Sequence, residues 1–400
     1  MAIDPEARER QALAEMAATV VARPTALAML GAGLALLALG VGLEIAAGAR
    51  GESRVAATLP AIAVEPGAFP RASRAALVAK ELERRFDEGS VLARALRPHG
   101  QRLLTGVAGY GNEEAYVGRD GWLHFRADFD HLTRRRPAPT AGRAAAAVVA
   151  FRDQLASRGI ALLVVPTPVK LAIEPRSFAA GTPDAPLRSP VEARLLAALE
   201  AAGVAVADFA PRLARRAREG GAAYLERDTH WRPEAMDEVA RAVAVELRAL
   251  AELAAGDSGR FRDSESTVDG TGDLDALLGL PGERPRQRVT TRPVSAADGT
   301  PWRPERGAPV LVLGDSFTAI YSQSDLGWGS GAGFAERLAF HLGLPVDRIA
   351  RNAGGASATR EALATELARN PERLDGVRAI VWQLAAREIS GGEWRDVALP

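Results

Sequence analysis

The apolar positions of this chain change period several times, and each change marks an element. The first apolar stretch, Pro24 to Leu43, is 20 residues without a charge, about the length that spans a bilayer. Residues 44–73 are rich in Ala, Gly and Pro and read as a linker. Over 74–97 the apolar residues Leu77, Leu82, Phe86, Leu92 and Leu96 recur with interleaved charge, which predicts a helix. Tyr116 to Phe125 alternates large residues around Asp120-Gly121, the signature of a hairpin.

From there the pattern becomes strand, helix, strand. A helix across about 141–158 leads into the apolar run Ile160–Pro166, and a helix over 189–202 leads into the strand Val204–Asp208. A helix starts near Pro233, which suits a first helical position, and carries Val239, Val243, Val245 and Leu247. A loop-rich insertion spans about 257–306. The strand Val310–Leu313 follows, then a helix around 333–342, the short strand Val346–Ala350, a helix near 358–369 and the strand Ala379–Gln383. This alternation predicts an α/β fold, a parallel sheet covered by helices on both faces.

Charge and composition narrow the function classes. The 400 residues carry 50 basic and 50 acidic side chains, so the net charge is zero and nucleic acid is not an expected partner. Lys80 and Lys170 are the only lysines in an arginine-dominated chain. There is no cysteine, which excludes disulfides, thiolate metal sites and a cysteine nucleophile. Arg8, Arg10 and Arg23 precede the apolar stretch, and Arg50 and Arg54 follow it. The bias favours a cytoplasmic N-terminus and an exported body. Cleavage at Ala47-Gly48-Ala49 is the competing fate of the same stretch.

Two strings carry chemistry. Leu313-Gly314-Asp315-Ser316-Phe317 places a serine on a tight turn after a buried strand, at the sheet edge where α/β folds bind ligands. Arg227-Asp228-Thr229-His230-Trp231 holds an Asp and a His two apart, and in an extended segment such residues point to one side. Ser316, His230 and Asp228 are thus the nucleophile, base and orienting carboxylate needed for acyl transfer. Each string alone also fits a plain turn or a helix start. Metal binding is the rival use of Asp228 and His230, but one His with scattered acids makes a poor zinc site, so no metal and no cofactor is expected. The run Gly327-Trp328-Gly329-Ser330-Gly331-Ala332-Gly333 lacks the Lys-Ser/Thr ending of a phosphate loop and reads as a flexible loop over the Ser316 edge, a lid or a substrate loop.

The order of these segments resembles the SGNH-hydrolase-like domain of the bacterial alginate O-acetylation proteins and related exopolysaccharide acetyltransferases. Val117-Gly118-Arg119-Asp120-Gly121-Trp122-Leu123 is similar to the family's N-terminal block, and Val164-Val165-Pro166-Thr167-Pro168-Val169-Lys170 to its Pro-x-Pro-x-Lys strand end. Asp228-Thr229-His230-Trp231 and Gly314-Asp315-Ser316-Phe317 are similar to its Asp-x-His and nucleophile blocks, and Gly272-Asp273-Leu274 to a recurring Gly-Asp-Leu element. The resemblance covers about 75–390. Asp-His precedes Ser here, the permuted order of the acetylation branch and the reverse of ordinary SGNH esterases. The chain is similar to the membrane-anchored, single-domain members.

What the resemblance implies is an SGNH-hydrolase-like fold behind an N-terminal transmembrane helix. The implied layout is 1–23 cytoplasmic, 24–43 a membrane span or signal anchor, 44–73 linker and 74–400 the acetyltransferase domain, held in the periplasm by a single pass through the inner membrane. The implied activity is O-acetyl transfer through Ser316 to hydroxyls of an exported polysaccharide. The partners are that polymer and a multipass membrane O-acyltransferase that supplies the acetyl group. Asn352 and Gly354 are candidates for the oxyanion site, Tyr321 and Lys170 for contacts with sugar or oxyanion. Trp122 and Trp231 offer sugar stacking or core packing. An acetylesterase with the same triad and a non-catalytic subunit of a secretion complex are the alternatives.

Overall fold

The computed structural model describes residues 23–51, 90–134, 139–280, 282–352 and 354–400. They divide into two compact units, one ending at Gly100 and one from Gln101 to Pro400. Leu77, Leu82, Phe86 and residues 52–73 of the expected linker lie outside the described residues.

In the first unit, helix α1 (Arg23–Ala49) contains the uncharged stretch and continues through 44–49, where composition suggested a linker. Ala and Leu are strong helix formers and outweigh the scattered glycines; Gly51, in the left-handed region at φ 74°, follows the helix end. Leu27, Met29, Leu30, Leu34, Leu39 and Ile45 of α1 are exposed. Among the described residues no helix is long and apolar enough to cross a membrane, so the fold does not establish the expected span. Leu92 and Leu96 fall on α2 (Val91–Ala108).

The second unit opens with the hairpin of β1 (Ala115–Val117) and β2 (Leu123–Phe125), paired antiparallel. Asp120 at φ 52° and Gly121 at φ 83° turn it, as the Asp-Gly step predicts. Short α3 (Arg126–Thr133) and long α4 (Pro139–Ala156) lead to β3 (Ala161–Thr167). Then come one turn of α5 (Lys170–Ile173), α6 (Pro190–Ala201), the two-residue β4 (Ala205–Val206), α7 (Ala210–Arg218) and α8 (Pro233–Leu250).

Residues 257–306 are more ordered than their composition suggests. β5 (Phe261–Asp263) pairs with β8 (Val294–Ala296), and β6 (Ser266–Thr271) with β7 (Arg286–Thr291), all antiparallel, around α9 (Asp273–Leu278). These two-stranded ribbons are largely solvated, so they carry no apolar run for a periodicity to register.

β9 (Val310–Gly314), α10 (Ser316–Ala319), α11 (Phe334–Leu342), β10 (Val346–Ala350), α12 (Ala358–Arg369), β11 (Ala379–Ala385) and α13 (Arg387–Gly391) complete the unit. The main sheet has the order β10-β9-β11-β3-β4, and every pairing in it is parallel. Side chains alternate between its faces. Leu163, Val165, Val310, Val312 and Val381 pack with α8 and α11 on one face; Leu162, Val164, Leu311, Leu313 and Trp382 pack with α4, α6 and α12 on the other. β9 and β11 are buried along their whole length. The carboxyl end of β9, in the interior of the sheet, therefore delivers a residue to the sheet edge from a rigid support.

Candidate active site

Ser316 begins α10 directly beyond β9. Asp315 caps the turn: its Oδ1 accepts the Phe317 N–H at 2.9 Å, and its Oδ2 accepts the Ala385 N–H at 2.7 Å, tying the turn to the end of β11. Gly314 is required by close approach, since a Cβ there would lie 2.0 Å from Thr318 Oγ1. Gln383, 1% exposed, accepts from Asp315 N–H at 3.2 Å and Thr318 Oγ1 at 2.7 Å, and donates to Thr167 Oγ1 at 2.9 Å. The Gly-Asp part of the motif thus holds the turn and leaves the serine hydroxyl for chemistry.

The second string arrives on a narrow loop before α8. Tyr224 and Trp231 form an antiparallel bridge, and Leu225 N–H donates to His230 C=O at 3.1 Å. His230 Nε2 lies 2.8 Å from Ser316 Oγ, and His230 Nδ1 lies 2.7 Å from Asp228 Oδ1. Asp228 Oδ1 also accepts the His230 N–H at 3.0 Å; its Oδ2 accepts from Trp328 Nε1 at 2.9 Å and Asp273 N–H at 3.0 Å. The imidazole leans on Phe317, ring centroids 4.7 Å apart. Two strings 86 residues apart thus place a nucleophile, a base and an orienting carboxylate in one hydrogen-bonded line.

Electrostatics match that line. Burial disfavours the imidazolium of His230, but the adjacent Asp228 carboxylate outweighs it and raises the His230 pKa. Burial likewise opposes the Asp228 charge. His230 and the donors to the carboxylate prevail and hold its pKa down to about 2. Asp228 therefore stays ionised and His230 is a stronger base than a free imidazole.

The triad opens onto a cleft whose lining includes Phe125, Leu277, Leu326, Arg351, Asn352 and Arg387. Gly354 and Asn352 line it as well; the Asn352 side-chain amide donates to Gln323 Oε1 at 2.8 Å. Tyr321 and Lys170 are placed elsewhere, which corrects their expected role. Tyr321 is fully buried and its hydroxyl donates to Trp231 C=O at 2.6 Å. Lys170 is fully buried, donates to the carbonyls of Leu123 at 2.7 Å and Glu226 at 3.1 Å, and lies over the Trp122 ring. Burial pulls its pKa down to about 8, while Asp228 and Asp273 work against that fall. Both residues brace the loops around the triad and do not line the cleft. Trp231 is buried and donates through Nε1 to Phe317 C=O at 3.1 Å.

The Gly327–Gly333 loop is no lid. Trp328 is fully buried against Gly270, where a Cβ would come within 2.6 Å of the indole, and its N–H holds Asp228. Apolar burial of a large indole outweighs the flexibility the glycines suggest. Trp328→Phe is expected to raise the Asp228 pKa, lower kcat about tenfold and cost about 1–3 kcal/mol of stability through loss of one of the two donors to the buried Asp228 Oδ2, which keeps the Asp273 N–H. Steady-state kinetics and a denaturant titration measure both.

Several partners escaped the sequence. Trp328 lies in the glycine-rich run with no role of its own assigned, and Gln383 and Arg387 fall in no motif, although Gln383 is the one polar residue in the run Ala379–Ala385. Asp273 sat in a matched motif without a role. Asp228, His230 and Asp273 each bring a ligand atom within 4.8 Å of the others, a spacing a cation could use. Their atoms are already committed: His230 Nδ1 to Asp228, and both Asp273 oxygens to Thr229, N–H to Oδ1 at 2.8 Å and Oγ1 to Oδ2 at 2.5 Å. A second Ser-His-Glu array, Ser390 Oγ to His131 Nδ1 at 2.6 Å and His131 Nε2 to Glu192 Oε2 at 3.1 Å, is buried and locks α13 to α3 and α6.

Comparison with known proteins places this geometry. Residues 115–386, more than half of the chain, match the family described as SGNH hydrolase-like domain, acetyltransferase AlgX. The chain is similar to the probable alginate O-acetylase AlgJ of Pseudomonas aeruginosa, 29% identical over 215 residues, 52% of this chain and 53% of that one. It thus spans about half the length of that relative. The similarity to the probable alginate O-acetylase AlgJ of Azotobacter vinelandii is 24% over 295 residues, 70% of this chain and 71% of that one. Among solved structures, the O-acetyltransferase domain of Pseudomonas putida AlgJ shares the fold, with a TM-score of 0.54 and 20% identity over 69% of this chain and 92% of that domain.

Proposed function

The chain belongs to the SGNH hydrolase-like acetyltransferase family of AlgX, and on that premise we propose that it is a serine-dependent O-acetyltransferase acting on an exported polysaccharide. The observation that carries the proposal is the 2.8 Å contact of His230 Nε2 with Ser316 Oγ, completed by Asp228 on Nδ1. The two relatives named as alginate O-acetylases support an alginate-like acceptor.

In the first half-reaction His230 Nε2 takes the Ser316 hydroxyl proton as Oγ attacks the acetyl carbonyl. The tetrahedral oxyanion collapses, the donor's leaving oxygen departs with the proton from His230, and the acetyl group remains on Oγ. A sugar hydroxyl then gives its proton to His230 and attacks the same carbonyl. Ser316 leaves reprotonated. The Ser316 N–H, at the start of α10, together with Gly354 and Asn352 on the cleft, is the proposed oxyanion site.

The proposal extends to place and partners. The chain is held at the inner membrane through its N-terminal segment, with the catalytic unit in the periplasm. Its support is the uncharged run 24–43, the exposed apolar side chains of α1 and the arginines Arg8, Arg10 and Arg23 before it. A multipass membrane O-acyltransferase supplies the acetyl group.

The test offers the full-length chain an activated acetyl ester with and without an oligouronate, and follows acetyl on sugar against free acetate. Sugar ester that forms faster than acetate supports the transferase; acetate alone, at a rate no acceptor changes, makes the chain an esterase. The rate must also follow the neutral form of His230. Because its pKa is raised, kcat/KM should fall tenfold per pH unit on the acid side, below a midpoint above about 6.5. A rate independent of pH between about 5 and 8 contradicts a His230 base.

A further inference from the structure

A second carboxylate stands beside the base. Asp273 Oδ2 lies 3.8 Å from His230 Nδ1, on the same side of the imidazole as Asp228. Both of its oxygens hold Thr229, the residue between Asp228 and His230, through the Thr229 N–H and hydroxyl. Its own N–H donates to Asp228 Oδ2 at 3.0 Å. The preceding Gly272 lies so close to the Arg227 carbonyl that a Cβ would sit 1.8 Å from that oxygen. The two loops are therefore clamped backbone to backbone, and no larger residue fits at 272. The two carboxylates differ in exposure: the Asp228 side chain is 2% exposed and that of Asp273 is 39%, open to the cleft.

We propose that Asp273 is a positioning residue of the base, which clamps the Asp228–Thr229–His230 segment and adds its charge to that of Asp228 when His230 takes the Ser316 proton. The inference rests on the Ser316 chemistry proposed above. An imidazolium that forms in a buried site needs nearby negative charge, and two carboxylates on one side of the ring supply more than one. The charged groups that bear on His230 are Asp228, Asp273 and, opposing them, Arg387 from α13. On Asp273, burial and the Asp228 charge raise the pKa, while His230 and the Thr229 donors lower it. Lys170, from α5, feels both carboxylates. On acidification Asp273 therefore loses its charge before Asp228, whose pKa is held down to about 2.

The experiment titrates the His230 ring nitrogens by NMR in the full-length chain, alongside the pH profile of kcat/KM. Asp273→Asn keeps an acceptor for the Thr229 N–H and removes the charge. The His230 midpoint and the acid limb of the profile should both move down by about one pH unit, with a loss of about tenfold in kcat. Thr229→Val removes the hydroxyl that reaches both Asp273 Oδ2 and, at 3.2 Å, His230 Nδ1, and keeps the Asp273 charge, so its kcat falls while its midpoint moves less than that of Asp273→Asn. If Asp273→Asn does not fold, Asp273→Ser supplies the same charge-free test. An unchanged His230 midpoint in a charge-free variant overturns the inference. Acetylation of Ser316 in the unmodified chain is scored separately, so a failure of the proposed function is distinguishable from a failure of the role given to Asp273.

Discussion

Ser316→Ala and His230→Ala are each expected to lower acetyl transfer by about 10⁵-fold, and the double variant to be little worse than either. The two side chains act as one unit: without the serine there is no covalent acceptor, and without the imidazole no other described side chain is hydrogen-bonded to Oγ to take its proton. What survives is the contribution of substrate binding and the oxyanion donors. The fold should be retained in Ser316→Ala, because the turn is held by Asp315, Gly314 and Gln383 and not by the hydroxyl. Thermal unfolding checks that, and kcat with an activated acetyl ester checks the loss. Effects of Ser316→Ala and His230→Ala that multiply in the double variant would mean that the two do not work as a pair.

Asp228→Asn is expected to cost about 10⁴-fold in kcat while leaving the structure nearly unchanged. All four partners of the carboxylate donate to it: His230 Nδ1, the His230 N–H, the Asp273 N–H and Trp328 Nε1. An amide brings two N–H groups of its own. On the Oδ2 side they would face the indole and backbone donors, so the amide nitrogen turns to the Oδ1 side. There it donates to Nδ1, forces the proton onto Nε2 and leaves no lone pair to receive the Ser316 proton. The pH profile separates this from simple loss of charge: a wrong tautomer lowers the plateau at every pH, whereas loss of charge alone also moves the acid limb. An Asp228→Asn enzyme at near-normal rate would remove Asp228 from the mechanism.

Much of this site is legible in the amino-acid sequence. The apolar run Val310–Leu313 fixed a buried strand, and a serine after Gly-Asp at its end has few places to go except the sheet edge. Asp228 and His230 share a side because the segment is extended, a local property that a dipeptide spacing reports. The partners that complete the site obey no local rule. Trp328 reaches Asp228 across 100 residues, and Gln383 reaches Asp315 across 68. Glycine spacing suggested a mobile loop at 327–333, but the burial of Trp328 decides its conformation. For Lys170 and Tyr321 the residue type was informative and the direction was not: a buried ammonium and a buried phenol satisfied by backbone carbonyls look like ligand contacts until the fold shows what they touch. The ribbons of 257–306 were hidden for the opposite reason, since solvated strands leave no apolar trace.

The most direct test of the central claim is intact-protein mass spectrometry, with peptide mapping, of the full-length chain after brief exposure to an activated acetyl ester. One added acetyl group, mapped to Ser316, absent from Ser316→Ala and discharged onto an oligouronate added afterwards, is the predicted result. Sugar acetylation that proceeds at full rate in Ser316→Ala, with no adduct on the unmodified chain, would contradict a serine acyl-enzyme.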